Sequence, residues 1–267
     1  PFFDEVMDGL HKKLEELSIY GCAVIERRIS FDLQIQLATI DDLVKEDIHG
    51  LILSPYNDPV IQEKIDALWE NGIPCITINT DMPDSKRIAY VGSDYHKCGQ
   101  TAAGLLHLFS GDYASVGIVT GSHNVLCHEE RISGFTSHLH AKHPNIRIVD
   151  VVENNDDDYQ SYAVVSDLLD RHPDLSALYF TAAGVYGGCR AVLNATLQRP
   201  LKIITFDAVP STCEMIQNGI ISATICQQPD EQGALSLSLL MDYLLTGKLP
   251  ENRCIYMDLS IKIAENL

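Results

Sequence analysis

The sequence has 267 residues, of which 46% are hydrophobic and 21% are charged, and its formal net charge is −18 at pH 7. This composition is typical of a globular protein with a sizeable core, and no apolar run approaches the roughly 18 residues that a membrane-spanning helix needs. Because the negative charge repels phosphate backbones, these residues alone are unsuited to binding nucleic acid, and any DNA contact needs a further segment.

Helical and strand-like periods alternate along the first third of the chain. Apolar residues recur at helical spacing from Phe3 to Leu17, Gly21 ends this pattern, and CAVIE follows as a predicted short strand. A predicted helix over about residues 31 to 46 precedes the strand GLILS, and a further helix leads to the strand PCITIN. The alternation predicts parallel βα units.

After YVGSD the same alternation starts again. Predicted strands SVGIVTG, IRIVDVV, ALYF, KIITF and SATIC are separated by helices, and a long helix then precedes the edge-like segments IYMDL and SIKIA. We therefore predict an α/β protein with two Rossmann-like three-layer lobes and no low-complexity linker between them. Residues 1–95 with 229–252 are assigned to the N-terminal lobe, and residues 96–228 with 253–267 to the C-terminal lobe.

Polar side chains follow several predicted strands, at the edge where open parallel sheets bind ligands. Each could be only a helix cap or a turn former, but their recurrence at one edge favours a binding site, as does an arginine, which does not cap helix N-termini. The positions are Asn79, Thr80 and Asp81 after PCITI, His123, Asn124 and then Arg131 after SVGIVTG, Asp207 after IITF, and Gln227 and Gln228 after SATIC.

Four longer stretches carry a family resemblance. INTD, YVGSDYHKCGQTAAGLL, EERISGF and ITFDAVPSTCEMIQNGIISATICQQPDEQGALS resemble the type I periplasmic-binding-protein fold, and in particular the effector domain of lac-repressor-family transcriptional regulators. Secreted ribose-binding proteins are relatives of that family. The resemblance covers essentially the whole sequence. It implies two lobes joined by a hinge, with a small polar ligand, a sugar or a derivative, bound in the cleft between them.

The resemblance also implies ligand-binding roles for particular residues. The opening PFF matches a turn of the family, N-P-F-F, whose aromatic rings lie against a sugar face. Phe2 is the better candidate for an aromatic ring that lies against a sugar, because Phe3 begins the apolar stripe of the first helix. Four polar positions match the family's acid or amide, its cleft arginine, its hydroxyl-binding aspartate and its hinge-side glutamine; they are Asn79, Arg131, Asp207 and Gln227.

The sequence departs from the family at two strand ends. Thr181 to Gly184 replaces a common Asn-Asp pair, and Asn79-Thr80 replaces a common Asp-Arg pair. Ligand hydroxyls left unpaired cost roughly 1–3 kcal/mol each, so a common pentose or hexose is not a safe prediction. Tyr56, Tyr186 or the run Asp156 to Asp158 can compensate, although three consecutive aspartates also fit a solvated turn.

Metal, cofactor and enzyme hypotheses have weak support. His138 and His140 diverge on a helix, which with His143 fits a solvated helix end, and Cys127-His128 is adjacent only in sequence. The usual phosphate-loop, nucleophile-elbow, zincin and dinucleotide motifs are absent from the sequence. We therefore predict no enzyme, no cofactor and no metal site.

Two functional hypotheses remain. The favoured one is a cytoplasmic ligand-sensing domain of a lac-repressor-family regulator, in which an effector closes the lobes and changes the spacing of helix-turn-helix heads in a homodimer. The heads, and the first strand of the fold, are expected upstream of Pro1. The alternative is a secreted sugar-binding protein of an ABC transporter. Eight scattered cysteines without a C-x-x-C pair favour a reducing compartment, and hence the first hypothesis.

Overall fold

The protein divides into two compact units in the computed structural model, which describes residues 2–29, 32–123 and 125–267. Pro1 of the PFF turn, Phe31 at the start of the predicted second helix, and Asn124 lie outside the described residues. Unit 1 comprises Pro1–Ser93 and Gln228–Asp258, and unit 2 comprises Asp94–Gln227 and Leu259–Leu267. No helix in the described ranges is long and apolar enough to cross a membrane.

Unit 1 is built on a parallel four-stranded sheet with the order β1-β2-β3-β9. Elements are numbered in chain order throughout. The strands are β1 (Leu51–Leu53), β2 (Cys75–Ile78), β3 (Ala89–Gly92) and β9 (Cys254–Tyr256). The helices are α1 (Phe2–Glu16), α2 (Leu33–Lys45), α3 (Pro59–Glu70) and α9 (Pro229–Thr246), with a 3₁₀ turn at Ser18–Tyr20.

Two predictions for unit 1 need correction. The segment CAVIE is not part of a described strand, because it pairs with none of the strands in this sheet. Residues 253–258 belong to unit 1 rather than to the C-terminal lobe, because β9 pairs with β3 from Tyr90 and Cys254 onward. Sequence periodicity reports that a segment is extended, whereas pairing depends on which strand lies beside it.

Unit 2 is built on a six-stranded sheet with the order β10-β8-β7-β6-β4-β5, in which only the β10–β8 pair is antiparallel. The strands are β4 (Ala114–Thr120), β5 (Ile146–Glu153), β6 (Ala177–Phe180), β7 (Lys202–Phe206), β8 (Ala223–Cys226) and β10 (Ser260–Lys262). The helices are α4 (Tyr95–Ser110), α5 (Leu126–Lys142), α6 (Asp158–Arg171), α7 (Val185–Asn194) and α8 (Pro210–Gln217), followed at the end of the chain by a 3₁₀ turn at Ala264–Asn266.

Both faces of the unit 2 sheet are covered, as the apolar strands require. One buried cluster joins the sheet to α4 and α5, and a second joins it to α6, α7 and α8. Strands β4 and β6 are buried along their whole lengths, so their side chains point into one cluster or the other. The three-layer α/β architecture predicted from the alternating periods is confirmed.

The position of α5 depends on two glycines. A Cβ on Gly99 of α4 would lie 2.1 Å from the carbonyl oxygen of Arg131, and one on Gly134 of α5 would lie 2.0 Å from that of His96. Because these distances are far below any van der Waals contact, α4 and α5 can approach this closely only with glycine at both positions. This close contact between α4 and α5 sets the position of Arg131, whose carbonyl oxygen lies at the contact.

The hydroxyl of Tyr179 is buried in the core of unit 2. Tyr179 is 0% exposed, its ring stacks on Phe135 with a centroid distance of 4.4 Å, and its hydroxyl has no hydrogen-bond partner among the described residues. An unpaired buried hydroxyl costs free energy, so Tyr179→Phe is expected to raise the free energy of unfolding by about 1 kcal/mol.

Urea denaturation of Tyr179→Phe beside Tyr90→Phe tests this prediction. Tyr90 is also buried, but its hydroxyl donates to the carbonyl oxygens of Asn79 and Ser93, each at 2.9 Å, so its loss is expected to destabilise the fold. Equal destabilisation by both substitutions would show that the Tyr179 hydroxyl is hydrogen-bonded in solution.

Candidate functional site

Three of the predicted site residues form one hydrogen-bonded chain in unit 2. Arg131 lies on α5, Asp207 directly follows β7, and Gln227 directly follows β8. The Nη2 atom of Arg131 donates to Oε1 of Gln227 at 2.8 Å, and Nε2 of Gln227 donates to the two carboxylate oxygens of Asp207 at 2.9 and 3.2 Å. Gln227 thus bridges the guanidinium of Arg131 and the carboxylate of Asp207, which form no direct ion pair among the described residues.

Arg131 is held rigidly. Its Nη1 donates to the carbonyl oxygen of Thr181 at 2.6 Å, and its guanidinium carbon lies 3.8 Å from the ring centroid of Phe206 and 4.9 Å from that of Tyr95. The residue is 5% exposed, and its Nε has no hydrogen-bond partner among the described residues. A guanidinium placed between two rings, with a donor still unused, is preorganised to bind an oxygen acceptor.

Asp207 is partly buried at the end of β7. Burial raises the pKa of its carboxyl above the usual range, while Arg131 and the hydrogen bond from Gln227 oppose that rise. Its backbone is anchored on both sides, since its amide donates to Ile225 at 2.9 Å and its carbonyl accepts from Oγ1 of Thr224 at 3.0 Å. These backbone bonds and the hydrogen bond from Gln227 therefore fix the carboxylate in position.

Left-handed backbone conformations occur at these strand ends. Asp207 has φ +63°, Asn79 has φ +58° and Asp156 has φ +58°, and each follows a strand by one to three residues. Such conformations are uncommon outside glycine, although aspartate and asparagine tolerate them best, and they cluster at binding sites. The geometry supports a ligand-binding role for these turns.

The other predicted site residues belong to unit 1. Asn79 follows β2, with its amide donating to Val91 at 3.3 Å, and Asp81 is bound to the buried Arg87 through both carboxylate oxygens. Asp81 therefore has a structural role in this turn.

The burial of the two phenylalanines is the reverse of that expected from the sequence. Phe2 packs against the core cluster around Val6, whereas Phe3 is 45% exposed, and their rings meet edge to face at 5.3 Å. The helical stripe begins with Phe2 because Phe2 and Val6 are four residues apart. Of the pair, Phe3 has the exposed ring.

Asp156 and His128 also lie at the strand ends of unit 2. The Oδ1 atom of Asp156 accepts from the amide of Ala183 at 3.0 Å, and a Cβ on Gly121 would lie 2.5 Å from this oxygen and 2.6 Å from Cε1 of His128. The sequence marks Asp156 only as one member of an acidic run. A left-handed aspartate two residues ahead of a helix is not marked by any local sequence pattern.

The contacts of the histidines do not support the hypotheses of a metal site or of a catalytic pair formed by Cys127 and His128. Nδ1 of His128 accepts from the amide nitrogen of Ser122 at 3.2 Å, so this ring nitrogen is bound to the backbone. The rings of His107 and His143 stack at 3.8 Å where α4 and α5 end. No group of metal-binding side chains was found within the described ranges.

The fold and this hydrogen-bonded chain define a class of protein, namely a two-unit α/β protein that presents polar groups for a small ligand at its strand ends. Residues 1–249 match the family model described as "Periplasmic binding protein domain". The chain therefore belongs to that family, and the predicted type I periplasmic-binding-protein fold is confirmed.

Relatives and solved structures of known binding specificity match most of the chain. The ribose import binding protein RbsB of Bacillus subtilis is 26% identical over 248 residues, which are 93% of this chain and 79% of the relative. The D-allose-binding periplasmic protein of Escherichia coli is 23% identical, covering 93% and 82%. The crystal structure of GanP, a glucose-galactose binding protein from Geobacillus stearothermophilus, has a TM-score of 0.90 at 26% identity, covering 100% of this chain and 94% of GanP.

These matches overturn the favoured functional prediction. The assignment to a lac-repressor-family transcriptional regulator is wrong, because the curated relatives and the GanP structure described above are named for sugar binding or import. The predicted cytoplasmic location is wrong for the same reason, and DNA and a homodimer find no support as partners. The sugar ligand and the carbohydrate-binding character predicted from the resemblance are retained.

The cysteines explain why the location was predicted wrongly. All eight are free, and Cys75, Cys98, Cys127 and Cys189 are buried. Burial raises the pKa of the Cys75 and Cys189 thiols to about 12, so these two behave as small apolar side chains. Thiols that are sequestered in a core do not report the redox state of the compartment.

Proposed function

We propose that this protein is the ligand-binding component of a sugar import system and that its ligand is a monosaccharide-sized polyol. The single observation that carries the proposal is the chain Arg131–Gln227–Asp207, with hydrogen bonds of 2.8 and 2.9 Å at the ends of β7 and β8. A guanidinium and a carboxylate held by one amide offer fixed donors and acceptors to adjacent hydroxyls. The import role is taken from the names of the relatives.

We propose that the protein binds its ligand noncovalently. The polar groups at the strand ends serve as hydrogen-bond donors and acceptors for a ligand. Phe2, Phe3 and Asn79 remain predictions as ligand contacts.

Asp207→Asn is expected to weaken binding of any sugar that stabilises the wild-type protein by about 10- to 100-fold. Asparagine preserves the shape but replaces a charged acceptor, and hydrogen bonds to charged groups contribute about 1.5–3 kcal/mol. A thermal-shift screen of monosaccharides identifies the ligand, since one at about 100 times its Kd adds roughly 2.7 kcal/mol of stability. Titration calorimetry then compares the variants.

Asp170→Asn is the matched control, because Asp170 is exposed on α6 and away from the strand ends. It is expected to bind as the wild-type protein does. Unchanged affinity in Asp207→Asn would remove Asp207 from the site. A complete lack of response to every monosaccharide would contradict the proposed function itself.

A further inference from the structure

Asp156 brings a second carboxylate to the strand ends of unit 2. It follows β5, yet its side chain reaches the turn after β6 and accepts from the amide of Ala183. Asn154 fixes the same turn, since its Nδ2 donates to the carbonyl oxygen of Ala183 at 2.8 Å and its Oδ1 accepts from the amide of Asp156 at 2.9 Å. Asn154 is 0% exposed, so the hydrogen bonds of this buried side chain hold Ala183 and Asp156 in place.

The Asp156 carboxylate and the Arg131 guanidinium meet at one short segment. Arg131 donates to the carbonyl oxygen of Thr181, and Asp156 accepts from the amide of Ala183, two residues later. The side chains of Thr181 to Gly184 bring no charge of their own. Asp156 is exposed, and its Oδ2 has no hydrogen-bond partner within the described part of the chain. A free carboxylate oxygen therefore faces solvent where the segment lacks an acid.

The charges at these strand ends do not balance. Asp156 and Asp207 are carboxylates, Arg131 is the one guanidinium bonded to this turn in the described residues, and its unused Nε independently indicates a ligand acceptor. His128 adds no positive charge at neutral pH, because burial and the nearby Arg131 lower its pKa to about 4. The site thus has one more negative charge than positive.

We propose that Asp156 makes this site selective for a polyol that carries a protonated amine, an amino sugar, with Arg131 binding a hydroxyl oxygen and Asp156 the ammonium group. This inference rests on the proposed function and specifies its ligand class. A partly exposed ion pair with a fixed carboxylate contributes about 1 kcal/mol, or roughly a fivefold preference over the hydroxyl analogue.

Titration calorimetry with matched sugar pairs tests the inference. The probes are D-glucosamine against D-glucose and D-galactosamine against D-galactose, at about pH 6.5, where amines are protonated. The wild-type protein is expected to bind at least one amine about five- to tenfold more tightly than its neutral partner, with a preference that weakens as salt is raised.

Asp156→Asn keeps an oxygen acceptor for the Ala183 amide and removes the charge. It is expected to bring the two affinities of a pair within about twofold, chiefly by weakening binding of the amine. Asp174→Asn is the control for net charge, because Asp174 precedes β6 by three residues, at the opposite end of the strands, where its carboxylate accepts from Ser115 at 3.1 Å. It is expected to keep the full preference.

The possible failures are distinguishable. If neutral sugars bind as tightly as amines, or if Asp156→Asn keeps the preference, the amine selectivity is wrong while the proposed sugar-binding function stands. If no member of any pair binds and the monosaccharide screen is also silent, the proposed function fails and this inference fails with it.

Discussion

Arg131→Met is expected to lower ligand affinity by about 100-fold and to reduce the free energy of unfolding by about 2 kcal/mol. Methionine fills much of the space between the rings of Phe206 and Tyr95 but donates no hydrogen bond. The carbonyl of Thr181 and the amide oxygen of Gln227 then lose the donors that now lie at 2.6 and 2.8 Å. The ligand loses its charged donor, and Gln227 is freed to rotate away from Asp207.

Two further variants separate charge from geometry in this prediction. Arg131→Lys keeps the charge but cannot serve two acceptors with a planar fork, so an intermediate affinity is expected. Arg190→Met removes an exposed arginine on α7 and is expected to change neither affinity nor stability. Calorimetric titration and urea denaturation measure both quantities. Wild-type affinity in Arg131→Met would place the ligand elsewhere.

Acid is expected to destabilise unit 2 through His128. Burial and the charge of Arg131 lower the pKa of His128 from 6.5 to about 4, with Asp156 and Glu129 opposing the shift. Because the folded state disfavours protonation, this contribution to stability is fully present above about pH 6.5 and is lost as the pH falls toward 4. The loss at about pH 4.5 is about 2–3 kcal/mol.

Urea denaturation at about pH 7.5 and pH 4.5 tests the role of His128 when the wild-type protein is compared with His128→Gln. Glutamine stays neutral and can accept from the amide of Ser122, as Nδ1 of His128 does at 3.2 Å. The variant is expected to lose about 2–3 kcal/mol less between the two pH values. Parallel loss in both proteins would assign the acid sensitivity to other groups.

The strand ends illustrate what local sequence can indicate. Asp207 and Gln227 each follow an apolar strand directly, so the rule for ligand sites in parallel sheets finds them without knowledge of the neighbours. Arg131 is less obvious, because it lies in the second turn of a helix. Its contact with Thr181 depends on how closely α5 approaches α4, and hence on Gly99 and Gly134.

Function was predicted less well than fold. The resemblance located a binding fold correctly, but the choice between regulator and import protein rested on free cysteines, which are a property of composition. Burial of Cys98 and Cys189 at 0% exposure accounts for these two unpaired thiols without any reference to a compartment. Composition averages over buried and exposed residues, whereas partners meet only the exposed ones.

Periodicity and the residue after each strand predict most of the order of strands and helices, the three-layer α/β class and the strand-end positions of Asn79, Asp207 and Gln227. Contacts between elements, in contrast, cause Phe2 to pack inward while Phe3 is exposed, β9 to pair with β3, and Asp156 to reach Ala183 across the end of β4. Each of these depends on which elements lie side by side, and contacts between residues distant in sequence have no local period.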